Sequence, residues 1–277
     1  MNRPCLINSL DDPRVDAFRD VRDRDLRGRD GFFMAESELV LRRLLRQPER
    51  LHSLLVSREK WGRLESELRD LPDSIPIYVA DLDVIGEVAG FHVHRGVLAL
   101  GHRPDARELS MTHVLEGLDR SRPRTLLLAT GITNVDNMGS LFRNAAAFGI
   151  DAIILDGTCC DPLYRKSIRV SMGHVLGVPW AVTEDWIGSL GELKDRWGVH
   201  LVAAECDERS RCVSVFPFPE HVALIVGAEG AGLDEGTRSI CDSIVEIPMA
   251  REVPSLNVAT AAAIFMWERR RSSLVEK

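Results

Sequence analysis

The sequence predicts an α/β protein. A mainly parallel sheet with helices on both faces fills its second half, and a smaller α/β domain precedes it. Three observations predict this. Strand-like apolar runs alternate with helix-like stretches along most of the chain, the pattern of a sheet covered by helices. Two polar, turn-rich breaks, Gly101–Glu108 and Ser121–Arg124, separate an alternating stretch of about 70 residues from a longer one. Polar or glycine-rich segments in the second half stand where a hydrophobic run ends or a helix begins, the position at which open α/β sheets bind ligands.

Taken in order, residues 1–30 are a mixed-charge, helical extension. Asp11–Arg22 reads as a capped, amphipathic helix start with Val15 and Phe18 on one face. Six arginines from Arg14 to Arg29 interleave with aspartates, so this stretch is either a salt-bridged surface or a face for RNA. The small domain spans 31–101. Its strands are predicted at Phe32–Ala35, Leu51–Val56, Ile75–Val79 and Arg95–Leu100. Its helices are predicted at Ser37–Arg46, Trp61–Leu68 and Asp81–Val88, the last ended near Gly90. Residues 102–122 read as a linker, with Met111–Leu118 a short connecting helix. The larger domain spans 123–277. Its strands are predicted at Thr125–Thr130, Ala152–Leu155, Val199–Ala204, Ala223–Gly227 and Ser243–Ile247. Its helices are predicted at Met138–Phe148, Ser167–Leu176, Trp186–Trp197, Asp234–Cys241 and Ser255–Arg270.

Composition removes several classes. The chain has 277 residues, 45% hydrophobic and 28% charged, the profile of a globular protein. Apolar runs such as Leu126–Ala129 fall far short of the roughly 18–20 residues a membrane span needs. The start, Met1–Leu6, lacks a basic segment followed by an apolar one, so no secretory signal is visible. The six cysteines form no Cys-x-x-Cys pair and read as reduced thiols in a cytoplasmic protein, with no structural metal expected. His92 and His94 share a strand face, but two ligands without a third point to packing or RNA contact rather than a metal. A net charge of −7 leaves nucleic-acid binding to a local basic patch.

The chemistry concentrates in three segments. In Asn134–Gly149, Asp136 or Asn137 can cap a helix whose buried stripe is Met138, Leu141, Phe142, Ala145 and Phe148, and Gly149 ends it. Arg143 stands in this otherwise small, apolar helix and must reach a carboxylate, solvent or a ligand. In Leu224–Leu233 a strand runs into Gly227-Ala-Glu-Gly-Ala-Gly232. The spacing is neither a dinucleotide fingerprint nor a P-loop, yet it makes an exposed loop that a ligand can approach closely. Glu229 there is either solvated, bound to a backbone amide, or set to orient a ligand. In Ile247–Ala263 a loop stiffened by Pro248 and Pro254 leads to a helix, with Ser255 and Asn257 at its start and Leu256, Ala259, Thr260, Ala263 and Trp267 as its inner face.

Jointly and in order, these residues resemble the SpoU/TrmH family of SPOUT RNA methyltransferases over about 122–270. Asn134, Asn137, Gly139 and Arg143 match that family's first motif. Gly227, Glu229 and Gly232 match its second. Ile247-Pro-Met249 and Ser255-Leu-Asn-Val258 with Ala261 match its third. Residues 31–100 resemble, more loosely, the L30e-like substrate-binding domain that often precedes it. Two departures bear on the RNA target: Arg95 stands where a glutamine is common, and Tyr164-Arg-Lys-Ser replaces a usual Pro-Lys.

The resemblance implies a SPOUT-type sheet tied in a trefoil knot, a fold that general topology rules would not suggest. It implies S-adenosylmethionine as methyl donor, held by Thr130, Gly131, Gly227, Ala228, Gly232, Ile247, Met249, Leu256 and Asn257. It implies methyl transfer to a ribose 2′-hydroxyl in rRNA or tRNA, with Arg143 clamping a phosphate and Asn134, Glu229, Ser255 and Asn257 holding that arginine and the ribose. It also implies a homodimer and no metal. Base methylation on the same fold, and RNA binding without catalysis, are the alternatives.

Overall fold

The computed structural model describes residues 2–19, 31–90, 96–228, 230, 232–251, 253 and 255–275. The predicted roles of His92, His94, Arg95, Glu229 and Pro254, and the arginines beyond Arg19 in the N-terminal stretch, fall outside the described residues. The chain divides into two compact units. One runs up to Arg103 and includes Leu163–Leu176; the other is Pro104–Pro162 together with Gly177 onward.

The first unit is built on five strands: β1 (Cys5–Leu6), β2 (Phe32–Glu36), β3 (Leu51–Ser57), β4 (Ile77–Ala80) and β5 (Val97–His102). Their order is β1-β4-β3-β5-β2. β1, β4 and β3 run parallel, whereas β5 is antiparallel to both β3 and β2. Serines start two of the helices: Ser37 accepts from the Val40 amide and Ser57 from the Lys60 amide. Gly90, left-handed at φ 70°, ends the Leu82–Ala89 helix as expected. The core joins Ile7, Val15, Phe18, Met34, Leu55, Ile85 and Leu98.

Three elements of this unit differ from the sequence expectation, the first being β1, a strand within the stretch read as a helical extension, followed by Ile7 in the core. Asp11–Arg22 begins not as an α-helix but as a six-residue 3₁₀ helix, Pro13–Phe18. Three residues per turn bring Val15 and Phe18 to the same side, and both are fully buried. The predicted Ser167–Leu176 helix is broken. An α-helix covers Arg165–Val170, Met172 and Gly173 take left-handed φ values of 54° and 78°, and a 3₁₀ turn covers His174–Leu176. Contacts with Arg43 and Gln47 hold the segment after the break. The Arg43 Nε donates to the Met172 carbonyl at 2.7 Å and the Gln47 amide to the Leu176 carbonyl at 2.6 Å.

The second unit carries seven strands: β6 (Arg124–Ala129), β7 (Ala152–Asp156), β8 (Trp180–Thr183), β9 (His200–Ala204), β10 (Arg211–Cys212), β11 (His221–Val226) and β12 (Ser243–Glu246). Their order is β10-β12-β9-β11-β6-β7-β8, and every pair is parallel. Successive side chains point to opposite faces. Leu126, Leu128, Ile154, Leu201, Ala223 and Ile225 join one core cluster with Leu190, Leu193 and Trp197. On the other face the Val135–Phe148 and Val258–Val275 helices pack against each other. β8 and β10 escaped the sequence reading because each is short and β8 directly follows Pro179.

The stretch read as a linker is folded into this unit. Met111, Val114 and Leu115 of the Met111–Glu116 helix join its core, and the Val182 amide donates to the Leu109 carbonyl at 3.0 Å. The last helix also differs. It starts at Val258, and its buried face is Val258, Ala259, Ala262, Phe265, Met266 and Arg269. This is the i, i+4, i+7 row through Val258. Thr260 is exposed, and so is Trp267, at 47%.

Candidate functional site

The carboxyl ends of β9, β11 and β12 and the start of the last helix enclose a cavity of about 390 Å³. That volume is in the range of small-molecule sites, roughly 300–1,000 Å³. β11 ends at Val226, and the chain doubles back at once. The Gly232 amide donates to the Ala228 carbonyl at 3.0 Å, closing the glycine-rich loop. A Cβ on Gly227 would lie 2.4 Å from the Gly232 carbonyl oxygen, so no side chain fits between the two arms. Gly232 has φ +64°, and a Cβ there would meet the Glu205 carboxylate. Glu205 accepts from the Leu233 amide at 3.0 Å, which ties the loop to the end of β9.

The other walls come from Glu246 at the end of β12, from Ile247 and Met249 beyond it, from Ser255 and Leu256, and from Val258, Ala261 and Phe265. Of the residues predicted to hold a cofactor, Gly227, Ala228, Gly232, Ile247, Met249 and Leu256 line the cavity, joined by Ser255. Thr130, Gly131 and Asn257 do not. Thr130 and Gly131 stand behind the loop: the Thr130 amide donates to the Val226 carbonyl, and a Cβ on Gly131 would lie 3.0 Å from that of Ala228. Asn257 caps the last helix, its side-chain oxygen accepting from the Ala259 and Thr260 amides at 3.0 and 3.2 Å. Its side-chain amide donates to the buried Asn137 oxygen at 2.8 Å. The first and third segments are thereby joined.

Sequence reasoning missed Ala204, Glu205, Cys206 and Glu246, which also line the cavity. The signal was present, because each lies at or just beyond the carboxyl end of a predicted strand. The Cys206 thiol donates to Glu246 at 2.9 Å. That bond pushes the thiol up from its ordinary value. The same bond, with one from Ser210, holds the Glu246 carboxyl below the usual range.

Asn134, rather than Asp136 or Asn137, caps the Val135–Phe148 helix, accepting from the Asp136 and Asn137 amides at 2.8 and 3.4 Å. The helix therefore begins three residues before its predicted start and buries Asn137 and Gly139 as well as Met138, Leu141, Phe142 and Ala145. The Asn144 amide donates to the Ala259 carbonyl at 2.9 Å, a second tie to the last helix. Arg143 is exposed on this helix, and no hydrogen bond or ion pair to another described residue engages it. Among the described residues no group of three or more His, Cys, Asp or Glu is placed to hold a metal ion.

Asp156, at the end of β7, supports the loop from behind. It accepts from the Thr130 hydroxyl at 2.6 Å, the Gly131 amide at 3.2 Å and the Thr158 hydroxyl at 2.8 Å. Burial alone would raise its pKa, but these bonds outweigh it and hold the carboxyl below its ordinary value. The depressed folded-state pKa contributes stability that is present above the unfolded carboxyl's value and lost as pH falls through the folded one. Asp156→Asn is expected to cost about 1–3 kcal/mol at neutral pH. Thermal melts of both proteins should show the gap closing below about pH 4. A gap that persists unchanged to pH 3 would show that the charge is not what stabilises the loop.

The SpoU rRNA Methylase family profile matches residues 124–267. A Mycobacterium tuberculosis protein named as an uncharacterized tRNA/rRNA methyltransferase is 40% identical over 273 residues, covering 95% of this chain and 90% of its own length. The 23S rRNA (guanosine-2′-O-)-methyltransferase RlmB of Ralstonia nicotianae is 32% identical over 200 residues, covering 72% of this chain and 78% of its own. Among solved structures, the SpoU methyltransferase AviRb from Streptomyces viridochromogenes in complex with AdoMet is 26% identical. It superposes with a TM-score of 0.76, covering 95% of this chain and 98% of that one.

Proposed function

Since the chain belongs to the SpoU rRNA methylase family, we propose that it is an S-adenosylmethionine-dependent RNA methyltransferase acting on a ribose 2′-hydroxyl. The observation that carries the assignment is the Asn257–Asn137 hydrogen bond. It fixes the helix bearing Arg143 to the loop that lines the cavity. The names of the RlmB relatives favour ribose over base and make 23S rRNA the first substrate to test, ahead of tRNA.

The chemistry of the cavity walls supports S-adenosylmethionine as its ligand. Glycines whose Cβ positions are already filled offer peptide edges to a polar ligand, while Val226, Leu256, Val258 and Phe265 offer apolar surface to a purine. When bound, the cofactor supplies a methyl group on a sulfonium, activated by its neutral leaving group. Gly227, Ala228, Gly232, Ile247, Met249 and Leu256 hold it, and Thr130, Gly131 and Asn257 keep those segments in place. Arg143 clamps an RNA phosphate. A guanidinium offers only N–H donors and no acceptor, so its task is to position the hydroxyl rather than take its proton. On RNA binding, Asn134, Ser255, Asn257 and Glu229 take up contacts to that arginine and the ribose. The 2′-hydroxyl is absent from DNA, so the target group itself selects RNA.

The same assignment carries a trefoil-knotted carboxyl half, a homodimer and a cytoplasmic location. Exposed apolar residues on and beside the last helix support the dimer: Trp267 at 47%, Leu274 at 58% and Val215 at 74%. No described helix is long and apolar enough to cross a membrane. The first unit, an L30e-like fold, binds the RNA.

The test is methyl transfer from labelled S-adenosylmethionine to ribosomal RNA and, separately, tRNA, both from a strain lacking this protein. Label in ribosomal RNA is expected. Label in a base would establish the base-methylating alternative. Binding of RNA with no affinity for S-adenosylmethionine would establish the non-enzymatic one.

A further inference from the structure

The cofactor cavity has a charge as well as a shape. Its described lining residues include two carboxylates, Glu205 and Glu246, and no lysine, arginine or histidine. The two stand at the ends of neighbouring strands. β9 and β12 pair through Ala204 and Val245, and the Glu205 amide donates to the Val245 carbonyl at 3.1 Å. Glu205 is fixed by the Leu233 amide, and Glu246 by the Cys206 thiol at 2.9 Å. The thiol is a donor, which favours the ionised carboxylate of Glu246. Cys206 stays a neutral thiol beside Glu246 and leaves the site's negative charge undiminished. Apart from Cys206 and Ser255, the remaining walls are glycines and apolar side chains, which screen charge poorly.

The methyl donor and its product differ by one methyl group and one positive charge. S-adenosylmethionine carries a sulfonium; S-adenosylhomocysteine carries a neutral thioether. Both share the same adenosine and the same amino-acid zwitterion, so shape alone separates them weakly, by the burial of one methyl.

We infer that Glu205 and Glu246 make the cavity selective for the cationic methyl donor over its neutral product. The inference rests on the cofactor assignment above and adds to it the means by which the spent cofactor is released. Glu246 is the better test of the two, because Glu205 also braces the glycine loop.

The experiment is titration calorimetry of the full chain, wild type and Glu246→Gln, with three ligands. These are S-adenosylmethionine, S-adenosylhomocysteine, and an analogue carrying an ammonium where the sulfonium stands. Glutamine retains an oxygen to accept from Cys206. Its affinity for the two cationic ligands is expected to fall about three- to tenfold, with that for S-adenosylhomocysteine changed less than about twofold. The unchanged product affinity also shows that the variant is folded. An equal fall for all three ligands would overturn the inference, because Glu246 would then recognise a group they share. No change for any of them would overturn it as well. If wild type binds none of the three, the cofactor assignment itself fails. If it binds all three and Glu246→Gln fails to separate them, only the charge selectivity does.

Discussion

Arg143→Ala is expected to lower methyl transfer by about 10²- to 10³-fold while leaving affinity for S-adenosylmethionine and thermal stability unchanged. The separation follows from where the residue sits. Arg143 is exposed on the Val135–Phe148 helix, does not line the cavity, and no other described residue holds it in a hydrogen bond or ion pair. An exposed arginine replaced by alanine, a better helix former, should shift stability by less than about 0.5 kcal/mol. Its loss therefore falls on catalysis. Arg143→Lys is the sharper variant. It keeps the charge but not the planar, two-pronged donor set, so a clamp that needs bidentate phosphate contact should remain impaired by about tenfold or more. Full activity in the lysine variant would show that charge alone suffices. Loss of cofactor binding in the alanine variant would move Arg143 into the cofactor site.

Gly227→Ala should show the opposite signature: cofactor affinity falls by about 100-fold, and transfer falls with it. The added Cβ would lie 2.4 Å from the Gly232 carbonyl oxygen and 2.9 Å from the Leu233 amide nitrogen. Both are backbone atoms, so relief requires the arms of the loop to part. That parting strains the Gly232–Ala228 hydrogen bond and the Leu233–Glu205 hydrogen bond together. Most cavity walls come from other segments, so the second unit should still fold, with its melting point lowered. Calorimetry with S-adenosylmethionine and a thermal melt with and without it read both effects. Wild-type affinity in this variant would mean that the cofactor lies elsewhere.

Much of this site is legible in the sequence because it is made of backbone. Gly227, Gly232, Ile247 and Ser255 stand where strands end and a helix begins, and apolar periodicity marks those points without knowledge of the fold. What was not legible depends on partners distant in sequence. Glu205 and Glu246 each look like an ordinary charged residue after a strand. They become paired walls of one cavity only because β9 and β12 are neighbours in the sheet, which the order β10-β12-β9-β11-β6-β7-β8 dictates. The 137–257 pair is similar: each asparagine reads as a helix-start residue, and their mutual hydrogen bond spans 120 positions.

The secondary structure shows the same division. Capped helices and long apolar strands were found close to their ends. The 3₁₀ helix at Pro13–Phe18 and the break at Met172–Gly173 were not, since both are settled by tertiary contacts. The last helix is the most instructive error. The set Leu256, Ala259, Thr260, Ala263 and Trp267 places the tryptophan inward, but the helical row through Val258, Ala262, Phe265 and Arg269 turns it outward.

The position of the transferred methyl decides whether this chain methylates a ribose 2′-hydroxyl in RNA. Ribosomal RNA from a strain lacking the protein would be incubated with the enzyme and labelled S-adenosylmethionine, then hydrolysed in alkali. A 2′-O-methyl group blocks cleavage at its own nucleotide, which needs the free hydroxyl. Label is expected in alkali-resistant dinucleotides at one position, absent when Arg143→Ala replaces wild type. Label released in single nucleotides and retained on the base would contradict it.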